Sequence, residues 1–125
     1  MIIGIGIDMC DVGKAKKSVE KGTFLSTYYS DSEWEYFESS GKSKYLIMAE
    51  HYAAKGAFLK LVGAGVVNAD MSVIEIVHGK YGQPYYRVQG WALEEMRGKG
   101  IEKITLSTSH SDEIGVAVAI AERDQ

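Results

Sequence analysis

Apolar positions along the chain fall into two periods. Ile3, Ile5 and Ile7 alternate with small residues through Ile2–Asp8, which predicts a strand with one bulky and one close-packed face. From about Ser43 to Val62 the period changes: Leu46, Ala49, Ala53, Ala57 and Leu61 recur at helical steps, and Gly63 and Gly65 follow as a stop. Gly56 is the misfit in that helix. Glycine there costs about 1 kcal/mol relative to alanine, and nothing nearby in sequence requires it.

Shorter signals fill in the rest. Val12 to Glu20 reads as a helix with a basic face, and Ser30 with Glu33 has capping-box spacing for a helix beginning near Asp31. Val73–His78 and Tyr85–Val88 read as strands joined by a turn at Gly79–Gly82, with Pro84 opening the return. Trp91–Arg97 is predicted helical and is stopped by Gly98 and Gly100. Lys103–Ser109 and Ile114–Arg123 are the last strands, the final one set to be buried on both faces. The order β-α-α-α-β-β-α-β-β predicts an α+β fold, an antiparallel-rich sheet packed on one long helix, in a single domain over residues 1–125.

Composition narrows the function. Fourteen Lys and Arg against 17 Asp and Glu give a net charge of −3, which argues against a general nucleic-acid binder. A lone Cys10 excludes an intrachain disulfide framework, and the longest apolar run, Ile114 to Ala121, is too short to span a bilayer. The N-terminus has no basic region before its apolar start, which Asp8 interrupts, so a cytoplasmic protein is expected.

Several residues could carry chemistry. Asp8, placed at the end of the first predicted strand, suits a metal ligand or a turn or cap residue. Lys55 and Lys60, followed by glycines, suit either a phosphate cradle or a capped helix end. Ser107, Ser109, His110 and Ser111 cluster at a strand exit, but no Gly-x-Ser-x-Gly elbow marks a serine hydrolase, and His51 and His78 form no zinc-type pair. Lys14, Lys16, Lys17 and Lys21 make a local positive patch that suits an acidic partner or a solvated helix face.

Together these segments resemble the holo-acyl-carrier-protein synthases, the small trimeric phosphopantetheinyl transferases. Gly4-Ile5-Gly6-Ile7-Asp8 is similar to the family's G-I-G-x-D strand, and Ser30 to Trp34 to its L-[ST]-x-x-E-[LW] helix start. Tyr52-Ala53-Ala54-Lys55, Ala57-Phe58, Lys60 and Gly63-Ala64-Gly65 resemble [RK]-[FW]-A-x-K-E-A-x-x-K-A-x-G-x-G. Gly82-Gln83-Pro84 resembles the G-K-P turn, and Ser107-Thr108-Ser109-His110 the S-[IL]-[ST]-H strand end.

The resemblance implies transfer of the 4′-phosphopantetheine arm of coenzyme A to a serine of apo-acyl carrier protein, with Mg²⁺ on the diphosphate. It implies Asp8 as metal ligand, with Asp8 and Lys60 catalytic. His51, Lys60, Gly63, Gly65, Gln83, Pro84, Ser109 and His110 would bind coenzyme A, and Lys14, Lys17 and Lys21 an acidic carrier protein. A homotrimer with sites between subunits is implied too, without nucleic-acid or membrane partners. This chain departs from the pattern at three places. Gly56 replaces the K-E-A glutamate, His51 the motif's first basic residue, and Lys14 an arginine. Glu33 or Glu35 could stand in for the missing carboxylate only if the fold brings one there. A non-catalytic coenzyme A or carrier-protein binder of the same fold is the alternative.

Overall fold

A computed structural model describes residues 1–22, 28–63 and 69–124. Strand β1 (Ile2–Asp11) leads into helix α1 (Val12–Glu20), followed by α2 (Asp31–Ser39), a 3-10 turn at Gly41–Ser43 and the long α3 (Lys44–Val62). A second 3-10 turn (Met71–Val73) opens β2 (Ile74–His78), which pairs with β3 (Pro84–Val88); α4 (Gly90–Gly98), β4 (Lys103–His110) and β5 (Ile114–Glu122) complete the chain. The expected element order is found. The strands, however, form two sheets: a three-stranded antiparallel sheet in the order β1-β5-β4, and the separate β2-β3 hairpin. Among the described residues no helix is long and apolar enough to cross a membrane.

The predicted strand start is right but its end is not. β1 continues past Asp8 to Asp11, and it is Asp11 that caps α1 by accepting from the Lys14 amide at 3.0 Å. Asp8 therefore sits mid-strand, opposite Ala117 of β5. Ser30 and Glu33 form both halves of the capping box on α2. Gly63 ends α3 in the left-handed conformation (φ 67°), as its position after the periodic run predicts.

Small residues let α3 lie almost against the three-stranded sheet. Ala49, Ala53 and Ala57 of the helix pack in one core with Ala117 and Ala119 of β5. A Cβ at Gly6 would strike the carbonyl of Ala57, and one at Gly115 would come within 2.7 Å of the Glu50 amide nitrogen. The alternation of glycine with isoleucine in β1, and of alanine with valine in β5, is the sequence signature of this seam. Only one side of β5 is buried, against expectation. Its alanines face α3, whereas Val116, Val118 and Ile120 are half-exposed beside the exposed Ile5, Ile7 and Met9 of β1. The outer face of β1 and β5 is thus an apolar surface, bordered by the outward Thr105, Ser107 and Ser109 of β4.

The opposite side of α3 holds a buried charge. Lys55 and Glu33 are both 0% exposed, and Lys55 Nζ donates to Glu33 Oε1 at 2.7 Å. The same ammonium donates to the carbonyls of Met71 (3.0 Å) and Ile74 (2.6 Å), so three hydrogens meet three acceptors. Burial pulls the lysine's pKa down and Glu33 opposes it; the saturated geometry keeps the ammonium charged. The rings of Tyr29 and Tyr28 lie 5.4 and 6.0 Å from Nζ. Lys55→Met should strand Glu33 unpaired and cost about 3–5 kcal/mol, read as a lowered urea midpoint, whereas Lys60→Met on the exposed side of α3 should cost about 1 kcal/mol or less.

Candidate active site

The close packing of β1 on α3 brings together Asp8, Gly56 and Lys60. Asp8 is on the inward face of β1, 29% exposed at its side chain. Its Oδ1 accepts from the Met9 amide at 2.9 Å and lies 3.7 Å from Lys60 Nζ. Its Oδ2 takes no hydrogen bond among the described residues and occupies the space a side chain at position 56 would fill: a Cβ built on Gly56 would land on it. So Gly56, unexplained by its neighbours in sequence, is explained across the fold. The carboxylate of Asp8 lies in the hollow that the glycine leaves.

Lys60 is 58% exposed and donates to the Ile7 carbonyl at 2.7 Å, which holds its ammonium beside Asp8 at the mouth of the seam. The result, among the described residues, is one carboxylate with an open oxygen and one exposed cation on adjacent elements. This is a donor set for a cation together with an anionic ligand. Among the described residues no group of three or more His, Cys, Asp or Glu side chains could hold a metal on its own. The arrangement still fits Mg²⁺, which commonly takes one or two carboxylates and completes its shell with phosphate oxygens and water.

A cavity of about 510 Å³ opens between β1, α1 and α3, lined by Met9, Cys10, Asp11, Lys14 and Tyr52 among others. Burial and the neighbouring Asp11 and Asp8 push the Cys10 thiol up to about 11, so it is neutral and unreactive at ordinary pH. Lys14, Lys17 and Lys21 are exposed on one side of α1, with Lys14 at the cavity rim.

The remaining sequence-predicted residues are not gathered at this point within one chain. Ser109 pairs with Val116, whose side chain is on the outer face, so Ser109 lies across the sheet from Asp8. His110 is exposed at the end of β4, 3.4 Å from Glu50 Oε2. Gln83 and Pro84 belong to the β2–β3 hairpin, which packs against the Lys55 side of α3. Gly63 caps α3, and Gly65 lies outside the described residues.

His51 needs correction as a coenzyme A contact. It is 1% exposed, its Nδ1 is 2.8 Å from Glu33 Oε2 and its Nε2 2.8 Å from His78 Nε2, so neither nitrogen is offered to a ligand. Glu33 cannot replace the absent carboxylate, since Lys55, His51 and the Ser30 amide occupy its oxygens. The sequence offers Glu33 as a helix cap or a stand-in metal carboxylate; its pairing with Lys55 is not among those expectations. The one available signal was a lysine placed inside the apolar run of α3.

A profile of the 4′-phosphopantetheinyl transferase superfamily matches residues 4–119. The holo-acyl-carrier-protein synthase of Clostridium tetani is 33% identical over 123 residues, covering 98% of this chain and 97% of that protein. Among solved structures, the Plasmodium yoelii acyl carrier protein synthase with ADP bound aligns with a TM-score of 0.85 at 34% identity, over 100% of this chain and 98% of that one. The holo-acyl-carrier-protein synthase of Neisseria meningitidis aligns at 0.83 and 30% identity, over 98% of this chain and 100% of that one.

The shared space of Asp8 and position 56 has a measurable consequence. In a double-mutant cycle of Asp8→Ala and Gly56→Ala, followed by chemical denaturation, the two sites should couple by about 1 kcal/mol or more. Alanine at 56 should be better tolerated once the carboxylate is gone.

Proposed function

The chain belongs to the 4′-phosphopantetheinyl transferase superfamily, and from that premise we propose that it is a holo-acyl-carrier-protein synthase. It moves the 4′-phosphopantetheine arm of coenzyme A to a serine of an apo-acyl carrier protein. The serine hydroxyl releases its proton to solvent as its oxygen bonds to phosphorus, the bond from phosphorus to the bridging diphosphate oxygen breaks, and adenosine 3′,5′-bisphosphate leaves. The observation that carries the reading is the Asp8–Lys60 pair at 3.7 Å, with Asp8 Oδ2 taking no donor among the described residues, in a chain related over nearly its full length to synthases of this name.

Phosphoryl transfer depends on positioning and charge neutralisation more than on covalent help from the protein. Asp8 is the one carboxylate that would hold Mg²⁺, which when bound neutralises diphosphate charge. Lys60, exposed and tethered to the Ile7 carbonyl, pairs with the same phosphates. Gly63, Gly65, Gln83, Pro84, Ser109 and His110 are kept as coenzyme A contacts, and Lys14, Lys17 and Lys21 as contacts to an acidic carrier protein. With Gly56 where the family motif has glutamate, the metal has one protein ligand here, so a high Mg²⁺ requirement follows.

A homotrimer completes the reading. The apolar outer face of β1 and β5 needs a cover, and a second copy brings its own Ser109 from the outward side of the sheet, with His110 at the end of the same strand. The sequence expectation of a cytoplasmic enzyme is carried over; the single cysteine accords with it.

Two experiments test this. Apo-acyl carrier protein incubated with coenzyme A, Mg²⁺ and this protein should gain roughly 340 Da by intact-mass spectrometry, the mass of the transferred arm. Gly56→Glu, with Asp8 turned aside to admit the new side chain, should lower the Mg²⁺ concentration for half-maximal rate by about tenfold. A gain with that variant alone would leave the chain a coenzyme A binder whose metal site has been vacated. Separately, Ile7→Glu should convert a trimer to monomer by light scattering; a monomeric parent protein would sink the intersubunit site.

A further inference from the structure

Glu33, His51 and His78 form a chain of contacts running from the protein interior to the β2–β3 turn. His51 Nδ1 lies 2.8 Å from Glu33 Oε2, His51 Nε2 lies 2.8 Å from His78 Nε2, and His78 Nδ1 lies 3.1 Å from the carbonyl of Gly82. Each contact needs one hydrogen between its two heavy atoms. Two neutral imidazoles supply only two N–H hydrogens for three contacts. The third cannot come from Glu33, because the Lys55 ammonium at 2.7 Å holds that group as a carboxylate. The ring pair therefore carries one proton beyond neutrality.

Its location follows from the two ends. The Glu33 carboxylate requires a hydrogen on His51 Nδ1. Burial holds the His51 pKa below the ordinary imidazole value, so a second hydrogen on that ring is disfavoured and its Nε2 acts as acceptor. His78 is half-buried and donates from both nitrogens, to His51 and to Gly82. The Tyr36 ring lies flat on it, with centroids 4.1 Å apart and planes 4° apart. The charged neighbours are Glu33 on α2, Lys55 on α3, and on β2 Glu75, which is paired with Arg87 of β3 and accepts from Ser32. Tyr36 is the titratable group stacked on the ring, while Lys80 and Tyr81 of the turn are exposed to solvent.

We infer that His78 is a positioning residue, the proton-carrying end of the Glu33–His51–His78 chain, which fixes the β2–β3 turn and so presents Gln83 to the nucleotide end of coenzyme A. The role assigned to Gln83 rests on the proposed function above. The turn is otherwise closed by the Gly79 amide to the Gln83 carbonyl (2.8 Å), the Gly82 amide to the Gly79 carbonyl (3.0 Å) and the Tyr81 amide to Gln83 Oε1 (3.0 Å). When the pair loses its extra proton, Glu33 still pins the hydrogen on His51 Nδ1, and His78 still donates to His51. The bare nitrogen is then His78 Nδ1, facing the Gly82 carbonyl lone pairs. The hold on the turn is complete while the proton is bound and is lost as pH rises.

Long-range ¹H–¹⁵N NMR of the wild-type protein, with His78→Phe for assignment, reads the protonation directly. Three ring hydrogens are expected on the pair, two of them on His78. Two neutral rings at every pH where the protein is folded would overturn the proposal. Calorimetry with coenzyme A then reads the positioning. Wild-type affinity should weaken about tenfold once the NMR shows the extra proton gone, the scale of one charge-assisted hydrogen bond. His78→Phe, which keeps the ring stack on Tyr36, should bind weakly and equally on both sides of that change. A flat wild-type profile would overturn the positioning role, and Gln83→Ala separates the causes. Weakened binding in that variant would leave the turn as a nucleotide contact, whereas unchanged binding would remove Gln83 from the coenzyme A site as well.

Discussion

The ammonium of Lys55 has no water to fall back on. Its three hydrogens go to a side chain of α2 and to two backbone carbonyls of the segment entering β2, so one atom on α3 sets the positions of both. Desolvating a charge this fully is tolerable only when every donor is met, and here each partner is itself constrained. Glu33 is held by its own capping box, and Ile74 begins the hairpin. The interaction acts as a joint: α2, α3 and the β2–β3 hairpin can take up only an arrangement that meets it. The histidine chain is an extension of the same joint, since His51 reaches the oxygen of Glu33 that Lys55 leaves open.

The other side of α3 follows the opposite logic. There the helix is held by the absence of side chains. Glycines and alanines on both elements bring backbone to backbone, and the carboxylate of Asp8 enters the helix surface at the one place where a side chain has been removed. A single helix thus carries a rigid polar joint on one side and a close-packed seam on the other. The Asp8–Lys60 pair proposed for the chemistry lies at the seam, where a small change in the helix position would move one relative to the other.

The order and type of the elements were legible because α3, β1 and β5 have long, regular periods that no tertiary contact overrides. The β2–β3 hairpin was legible from its turn, but its standing apart from the other three strands was not, because a strand's period records its faces and not which sheet it joins. Gly56 looked like a defect because its reason is Asp8, a residue on another element. Lys55 suited a phosphate cradle or a capped helix end, and its buried role did not show, because two of its three partners are backbone carbonyls, which leave no trace in side-chain pattern. His51 was misassigned for a related reason: its place in a motif gives its position on the helix but not the direction it faces.

Lys60 has a second consequence, which concerns the newly made chain more than the catalyst. β1 is the outer strand of its sheet and carries Ile5, Ile7 and Met9 exposed on its open face. An uncovered apolar strand at a sheet border is a template on which strands of other molecules can add and begin aggregates. The ammonium of Lys60, set on the carbonyl of Ile7, places a charge at the middle of that strand. A charge so placed disfavours strand addition along this border, so one side chain both sits beside Asp8 and blunts an exposed sheet edge.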